Sequence, residues 1–365
     1  MAAARYIERR LRSASPDTFE VEVHDLSAHV TLGGRQISQP IASFYRWCIE
    51  NFGSRPYQMI FRWADRHPDT CSRLVFQIFG RRAAAWLRSR DPALIISTYP
   101  LVTYVAATVF RGSAVGVINV VTDAGKLNRL WWQGQPHLTL VTHQDLLGQA
   151  RDAGHASTRV HNIGLLADPR LSQVTDAGLA RARVGLRDAF TVLLAGGGLG
   201  FGPNLEQFAR RLGSVATGAG AQFIVAAGSN AELRATIMRL LPPSSAIVCP
   251  ATDMTDAVIA SDLVIGKAGW LTISECITAG KPIIVLDSIP GQEDENIKFI
   301  ERLGIGRRMS VASALEAFAA YAVNRELLVH DFFVKRELYH AEAGSYLARL
   351  LMGVLREVRG EGAGA

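Results

Sequence analysis

The stretch VIGKAGWLTISECITAGKPIIVLDSIPGQEDENIKFIERLGIG, residues 264–306, decides how the chain is read. A short apolar strand ends at Ile265, the turn Gly266, Lys267, Ala268, Gly269 follows, and a helix opens near 271–272. A turn from a strand into a helix gathers unpaired N–H groups and the positive end of the helix dipole at one point. That point suits a phosphate. The spacing puts Glu275 in the first turn of the helix, where a carboxylate is favoured and can accept hydrogen bonds from paired hydroxyls, as on a ribose. Gly280 ends the helix, Pro282 precedes a second buried strand over 283–286, and Pro290, Gly291, Gln292 and Glu293 make a polar turn before another helix. The same spacing also fits a plain strand-turn-helix unit of a parallel sheet in which Glu275 caps its own helix.

Upstream, 191–194 reads as a strand, 195–200 as a glycine loop and 205–213 as a helix. Consecutive glycines at 196–198 allow close backbone approach to a phosphate. Strands over 222–226, 246–249 and 263–265 alternate with helices, so the second half is an α/β unit. In the first half, 93–97, 115–121, 138–142 and 160–163 read as buried strands, and 19–25 alternates at period two like a strand. The strand over 115–121 ends at Thr122 and Asp123, and strand C-terminal ends are where doubly wound sheets bind ligands. Residues 164–169 connect the halves, and 314–359 is helical by periodicity. The opening MAAARYIERRLRS reads as the body of a helix with no strand or cap before it.

At 365 residues and 48% hydrophobic content the chain is long enough for two domains. Four cysteines, Cys48, Cys71, Cys249 and Cys276, stand far apart with no CxxC pair, so neither a disulfide framework nor a zinc site is indicated. No apolar run reaches spanning length and no signal-peptide pattern opens the chain. No GxSxG, GxxxxGKS or HExxH motif is present. The net charge of +6 is uneven: residues 1–165 hold 19 Lys and Arg against 12 Asp and Glu. Residues 41–90 hold nine Arg, three acids and ten aromatics. Helices over 41–52, 57–64 and 71–88 are expected there, the last with Leu74, Val75, Ile78, Phe79 and Trp86 on one face and Arg81, Arg82 and Arg88 beside it. Basic charge interleaved with aromatic rings suits an anionic lipid surface. Nucleic acid, or a solvated face over an aromatic core, also fits that composition. Trp47, Trp63, Arg81, Arg82 and Trp86 are the residues expected to touch a membrane.

Several stretches carry a family resemblance. LLAGGGLGFGP (193–203), VAAGSN (225–230), ATDMTDAVIASDLVIGKAGWLTISECITAGKPIIV (251–285) and PGQEDEN (290–296) resemble the family 28 glycosyltransferases, in the branch of monogalactosyldiacylglycerol synthase and diacylglycerol glucosyltransferase. SASPDTFEVEVHDL, DPALIISTYPL, VINVVTDA and NIGLLADPRL extend the likeness more loosely, so that it covers most of residues 1–310. It implies an α/β fold of GT-B architecture, two Rossmann-like parallel-sheet domains facing a cleft: residues 1–165 on the acceptor and membrane side, 166–330 binding a nucleotide sugar, and 331–365 a C-terminal helix and tail.

By the same resemblance, Gly197, Gly198, Lys267, Ala268 and Gly269 line a diphosphate. Thr252 and Met254 flank the base, and Thr272 belongs to the same motif. Glu275 holds the ribose, and Gln292, Glu293 and Asn296 face the donor sugar. The implied activity is inverting transfer of a sugar from a UDP-sugar to a membrane lipid such as diacylglycerol, with no metal or other cofactor and no nucleic acid partner. The expected location is cytoplasmic, peripheral on the inner face of the plasma membrane. A polyprenyl-linked or lipopolysaccharide-type acceptor, or a degenerate protein that binds nucleotide sugar and membrane without turnover, are the alternatives. Two departures stand out. The family's first strand and its glycine loop ending in Gly-His, a histidine expected to act as base, would lie just ahead of the opening helix, so the coding sequence is expected to extend upstream. Where the family reads Thr-Asp followed by His-Pro-x-Trp, this chain keeps Asp123 and Trp131 but has Asn128 at the histidine. Asp123 is the base candidate within the chain.

Overall fold

The computed structural model describes residues 2–32, 35–36, 55–173, 176–198, 200, 202–241, 246–249, 254–332 and 343–360. The helix expected over 41–52, with Trp47, and the residue Thr252 lie outside these. Two compact units divide the chain: Met1–Gly164 with Pro290–Gln292 and His340–Ala365, and Leu165–Ile289 with Glu293–Tyr339. The C-terminal helix Ala343–Val358 therefore belongs to the first unit, where it packs on the opening helix Ala2–Ala14. Tyr6, Ile7 and Leu11 of the one, and Leu347, Leu351 and Val354 of the other, are buried.

In the first unit, β1 (Thr31–Leu32) and β2 (Arg35–Gln36) pair antiparallel, and β3 (Leu94–Ser97), β4 (Gly116–Val120), β5 (Leu138–Val141) and β6 (Val160–Asn162) form a parallel sheet in that order. β4 and β5 are buried at every position, as parallel strands covered on both faces are. The strand expected over 19–25 is not formed. Its alternation survives as half-buried and exposed positions in turn, but among the described residues the segment pairs with no strand. Glu22 instead accepts a 2.6 Å bond from Arg90 and lies 2.8 Å from His24. Alternation reports which side of an extended chain meets protein; pairing needs a neighbouring strand as well.

The single apolar stripe expected over 71–88 is also split. Helix Pro68–Val75 runs into a π-helical turn, Phe76–Gly80, before helix Arg81–Ser89, and the wider turn rotates the side chains that follow. Leu74 and Ile78 face solvent, while Val75, Phe79 and Trp86 are half-buried. The Phe76 ring takes the space that a Cβ on Gly80 would need.

The second unit holds one parallel sheet of β7 (Thr191–Ala195), β8 (Gln222–Ala226), β9 (Ala246–Val248), β10 (Leu263–Lys267), β11 (Ile283–Asp287) and β12 (Gly306–Arg308), in the order β12-β11-β10-β7-β8-β9. Phe318 of helix Val311–Val323 packs on Phe208 and Phe223 with ring centroids 6.4 and 5.8 Å apart. Such ring pairs contribute about 0.5–1.5 kcal/mol each beyond area burial. Buried Arg181 makes two 2.8 Å bonds to Asp262 and one of 3.0 Å to the Ala260 carbonyl, so helix Ala177–Arg183 is tied to the start of β10. From β7 the chain builds β8 and β9 to one side, then returns to build β10, β11 and β12 on the other. The reversal between β7 and β10 opens a crevice at their C-terminal ends, where β7 runs into the glycine loop and β10 into the Lys267–Gly269 turn.

Candidate functional site

Three loops meet at that crevice. β10 ends at Lys267, and helix Trp270–Ala279 begins three residues later with Gly269 as an N-cap that offers no side-chain bond. The first helical bond runs from Ile273 N to the Gly269 carbonyl, and the N–H groups of a helix's first turn have no acceptor within the helix. Beside this turn lies the glycine loop after β7: Gly197 has φ of +70°, and a Cβ there would come 3.0 Å from Lys267 Cε. Glycine thus lets the lysine stem lie over the loop. The third loop, after β8, locks the second. Ser229 N donates to the Gly198 carbonyl at 3.1 Å and Asn230 Nδ2 to the Gly200 carbonyl at 2.9 Å. A Cβ on Gly228 would meet the carbonyl oxygens of Gly197 and Gly198 at 2.3 and 2.4 Å.

Lys267 Nζ lies 2.9 Å from Glu293 Oε1, and their side chains are 13% and 5% exposed. Glu293 Oε2 accepts a 2.7 Å bond from Ile289 N. The loop before helix Asp294–Leu303 therefore holds the lysine against the crevice. Asn296 is fully buried and donates to the Ala268 carbonyl at 3.0 Å. The resemblance sets Asn296 against a sugar; its burial makes it a brace beneath the Lys267–Gly269 turn. Glu275 also moves relative to expectation. The helix opens at Trp270, so Glu275 is in its second turn, buried to 4% exposure, and the cap reading fails because the carboxylate is past the exposed amides. Thr272 is buried in the first turn, and Met254 is the half-buried N-cap of helix Thr255–Ala260. Gln292 falls with the first unit, where its Oε1 accepts from Tyr57 Oη at 2.8 Å. A separate cavity of about 630 Å³ is lined by Asn204, Arg211, Arg308 and Ser310 among others, and none of the anticipated residues borders it.

In the first unit Asp123 is half-buried just past β4. Its loop is braced by Gln149, which donates to the Gly125 carbonyl at 2.6 Å and accepts from Leu127 N at 2.9 Å. Asn128, at the family's histidine, caps the turn Arg129–Trp132 through Leu130 N and donates to the Phe61 carbonyl at 3.1 Å. Beneath Asp123 a fully buried Asn119 accepts from Thr103 Oγ1 at 3.0 Å and donates to the Trp131 carbonyl at 2.9 Å. Sequence reasoning missed Asn119; a polar residue inside the apolar run GVINV was its one signal. Trp63 is 43% exposed, and Arg81 and Arg82 are exposed. Trp86 is committed within the fold, stacked on His29 at 4.5 Å and meeting His24 edge-on at 5.0 Å.

Two α/β units built on parallel sheets, one with its loops converging on a strand-order reversal, define a GT-B glycosyltransferase fold. Solved structures agree. The Staphylococcus aureus MnaA–UDP co-structure is similar over 97% of this chain and 92% of its own, with TM-score 0.60 and 11% identity. Acinetobacter baumannii MurG is similar over 76% and 78%, with TM-score 0.51 and 17% identity. Residues 1–166 match the monogalactosyldiacylglycerol (MGDG) synthase family and residues 191–317 match the glycosyltransferase family 28 C-terminal domain. Among curated relatives, monogalactosyldiacylglycerol synthase of Spinacia oleracea is 28% identical over 325 residues, 84% of this chain and 60% of that protein. A probable monogalactosyldiacylglycerol synthase of Glycine max is 28% identical over 268 residues, 67% and 50% of the two chains. The chain thus spans between half and three-fifths of these relatives' length. Both are named chloroplastic. Among the described residues no helix is long and apolar enough to cross a membrane.

Proposed function

We propose that this chain forms the core of an inverting glycosyltransferase that moves a hexose from a UDP-sugar to a hydroxyl of a membrane lipid, with diacylglycerol the leading acceptor. The observation behind this reading is the Lys267 ammonium, held by Glu293 beside the glycine loop and an uncapped helix start, at the strand-order reversal of the sheet. Cation, loop amides and helix dipole supply positive potential for the leaving diphosphate, so the reading needs no metal. The acceptor oxygen forms its bond to the sugar's anomeric carbon as the bond from that carbon to the diphosphate oxygen breaks. The acceptor proton passes to a carboxylate, for which Asp123 is the candidate, and UDP leaves.

Membrane docking falls to the first unit. Met59, Ile60, Trp63, Leu74 and Ile78 are exposed on consecutive helices, from Trp63 at 43% to Met59 at 73%. Arg81 and Arg82 beside them meet anionic headgroups while the apolar groups enter the interface. Attachment is peripheral, at the cytoplasmic face of the plasma membrane. Liposomes containing dioleoylglycerol, supplied with radiolabelled UDP-galactose, UDP-glucose or UDP-GlcNAc, test the reading. Transfer of at least one sugar to the lipid is expected, and no transfer from any of them by the chain in its full coding length would sink it. UDP binding without turnover would instead mark a degenerate transferase.

A further inference from the structure

We infer that Tyr99 contacts the acceptor, its hydroxyl donating a hydrogen bond to an acceptor oxygen next to the hydroxyl that Asp123 faces. β3 and β4 are neighbouring parallel strands, with Ser97 opposite Asn119. Tyr99 stands two residues past Ser97 and Asp123 four past Asn119, so both occupy the same C-terminal edge on adjacent strands. The main chain of Tyr99 is pinned there: its N–H donates to Ser97 Oγ at 3.3 Å, and its carbonyl accepts from Ser97 Oγ at 2.9 Å and Thr103 N at 3.0 Å. Thr103 is in turn bonded to the buried Asn119 of β4, which fixes the start of helix Pro100–Val109 against the strand that leads to Asp123. The backbone under the two side chains is therefore one rigid piece.

The side chain is used differently from the backbone. Tyr99 is 56% exposed, a large ring presented at a sheet edge where a small polar residue would suffice for a turn. Among the described residues its hydrogen bonds run through main-chain atoms, which leaves the hydroxyl for an incoming group. Burial raises the phenol above its ordinary value, and the Cys71 thiol and Asp123 carboxylate raise it further. The open surface of the ring tempers the burial effect. A phenol beside a carboxylate keeps its proton at neutral pH and acts as a donor. Acceptor lipids carry ester or ether oxygens beside the reacting hydroxyl, and these take such a bond while the hydroxyl itself turns to Asp123. Tyr99 keeps its proton throughout the transfer.

This inference rests on the acceptor-side reading of Asp123, and the test separates the two. Wild type, Tyr99→Phe and Asp123→Asn are compared by sedimentation with phosphatidylcholine vesicles with and without dioleoylglycerol, by UDP calorimetry, and by transfer from UDP-galactose. Tyr99→Phe is expected to raise the acceptor KM about tenfold, the loss of one hydrogen bond, and to lose the dioleoylglycerol-dependent part of vesicle binding. UDP affinity stays at the wild-type value. An unchanged acceptor KM, unchanged dioleoylglycerol-dependent binding, or a parallel fall in UDP affinity overturns the assignment. Tyr99-dependent vesicle binding in a wild type that transfers nothing would uphold Tyr99 and reject the transferase reading.

Discussion

Replacing Lys267 by Met separates what the lysine does for the fold from what it does for a ligand. Two unit charges 2.9 Å apart attract by about 6 kcal/mol at an effective dielectric of about 20, before the cost of desolvating them is set against it. Lys267→Met leaves the Glu293 carboxylate, 5% exposed, without its cation. Breaking one partner of a buried pair costs about 3–5 kcal/mol. Lys267→Met/Glu293→Gln removes both charges and keeps an oxygen for the Ile289 N–H, so most of that stability returns. UDP affinity behaves otherwise. A hydrogen bond to a charged group is worth about 1.5–3 kcal/mol, so both variants should bind UDP roughly 10- to 150-fold more weakly. Urea unfolding reads the first quantity and calorimetric titration with UDP the second. Wild-type UDP affinity in the double variant would remove the turn from the donor site. A double variant as unstable as the single one would show that the pair is not what couples Lys267 to the fold.

Gly228→Ala drives a Cβ to 2.3 Å from the Gly197 carbonyl at a φ of +54°, and should weaken UDP binding and lower the melting temperature together; normal values of both refute the loop interlock. Asn119→Ala leaves the Trp131 carbonyl and Thr103 hydroxyl without their partner and should destabilise the chain by about 1–3 kcal/mol in urea unfolding. Burial raises the Asp287 carboxyl above its ordinary 3.8 despite hydrogen bonds from Leu205 N and Asn204, so the folded state holds the proton more tightly than the unfolded one. Its contribution is complete below 3.8 and is lost as pH rises through the folded value; the urea midpoint of Asp287→Asn should therefore gain on that of wild type as pH climbs from 3.8, and a constant difference refutes this. Arg81→Glu/Arg82→Glu should weaken sedimentation with anionic vesicles in a salt-dependent way, and unchanged binding would make those arginines a solvated face.

The second half was legible because its turns lie within short segments. Gly197, the Lys267–Gly269 turn and Gly280 each answer to a local backbone need, a close approach, a strand-to-helix turn or a left-handed C-cap at φ +69°, and each sits where its spacing put it. Glu293 shows the limit of that kind of reading. It stands 26 positions from Lys267 in sequence, and only the parallel pairing of β10 with β11 brings its loop over the lysine. Asn296 was given a ligand by likeness and a carbonyl by the fold, because a motif preserves residue identities without saying which of them face the crevice. The first half was harder for a related reason. The segment 19–25 has the alternation of a strand without the partner, and 71–88 has the stripe of one helix with a π-turn inside it. Both features depend on what a neighbouring element does, so period alone cannot report them. Asn128 is the instructive case. Where the resemblance implies a histidine, this chain places an amide that caps its own turn and holds the Phe61 carbonyl. A neutral amide has no proton to exchange near neutral pH, so any base at this edge has to come from another residue. Asp123 is the carboxylate nearest in sequence on the same loop, which is why the proposed acceptor chemistry is tested at Asp123 and at Tyr99 past the neighbouring strand.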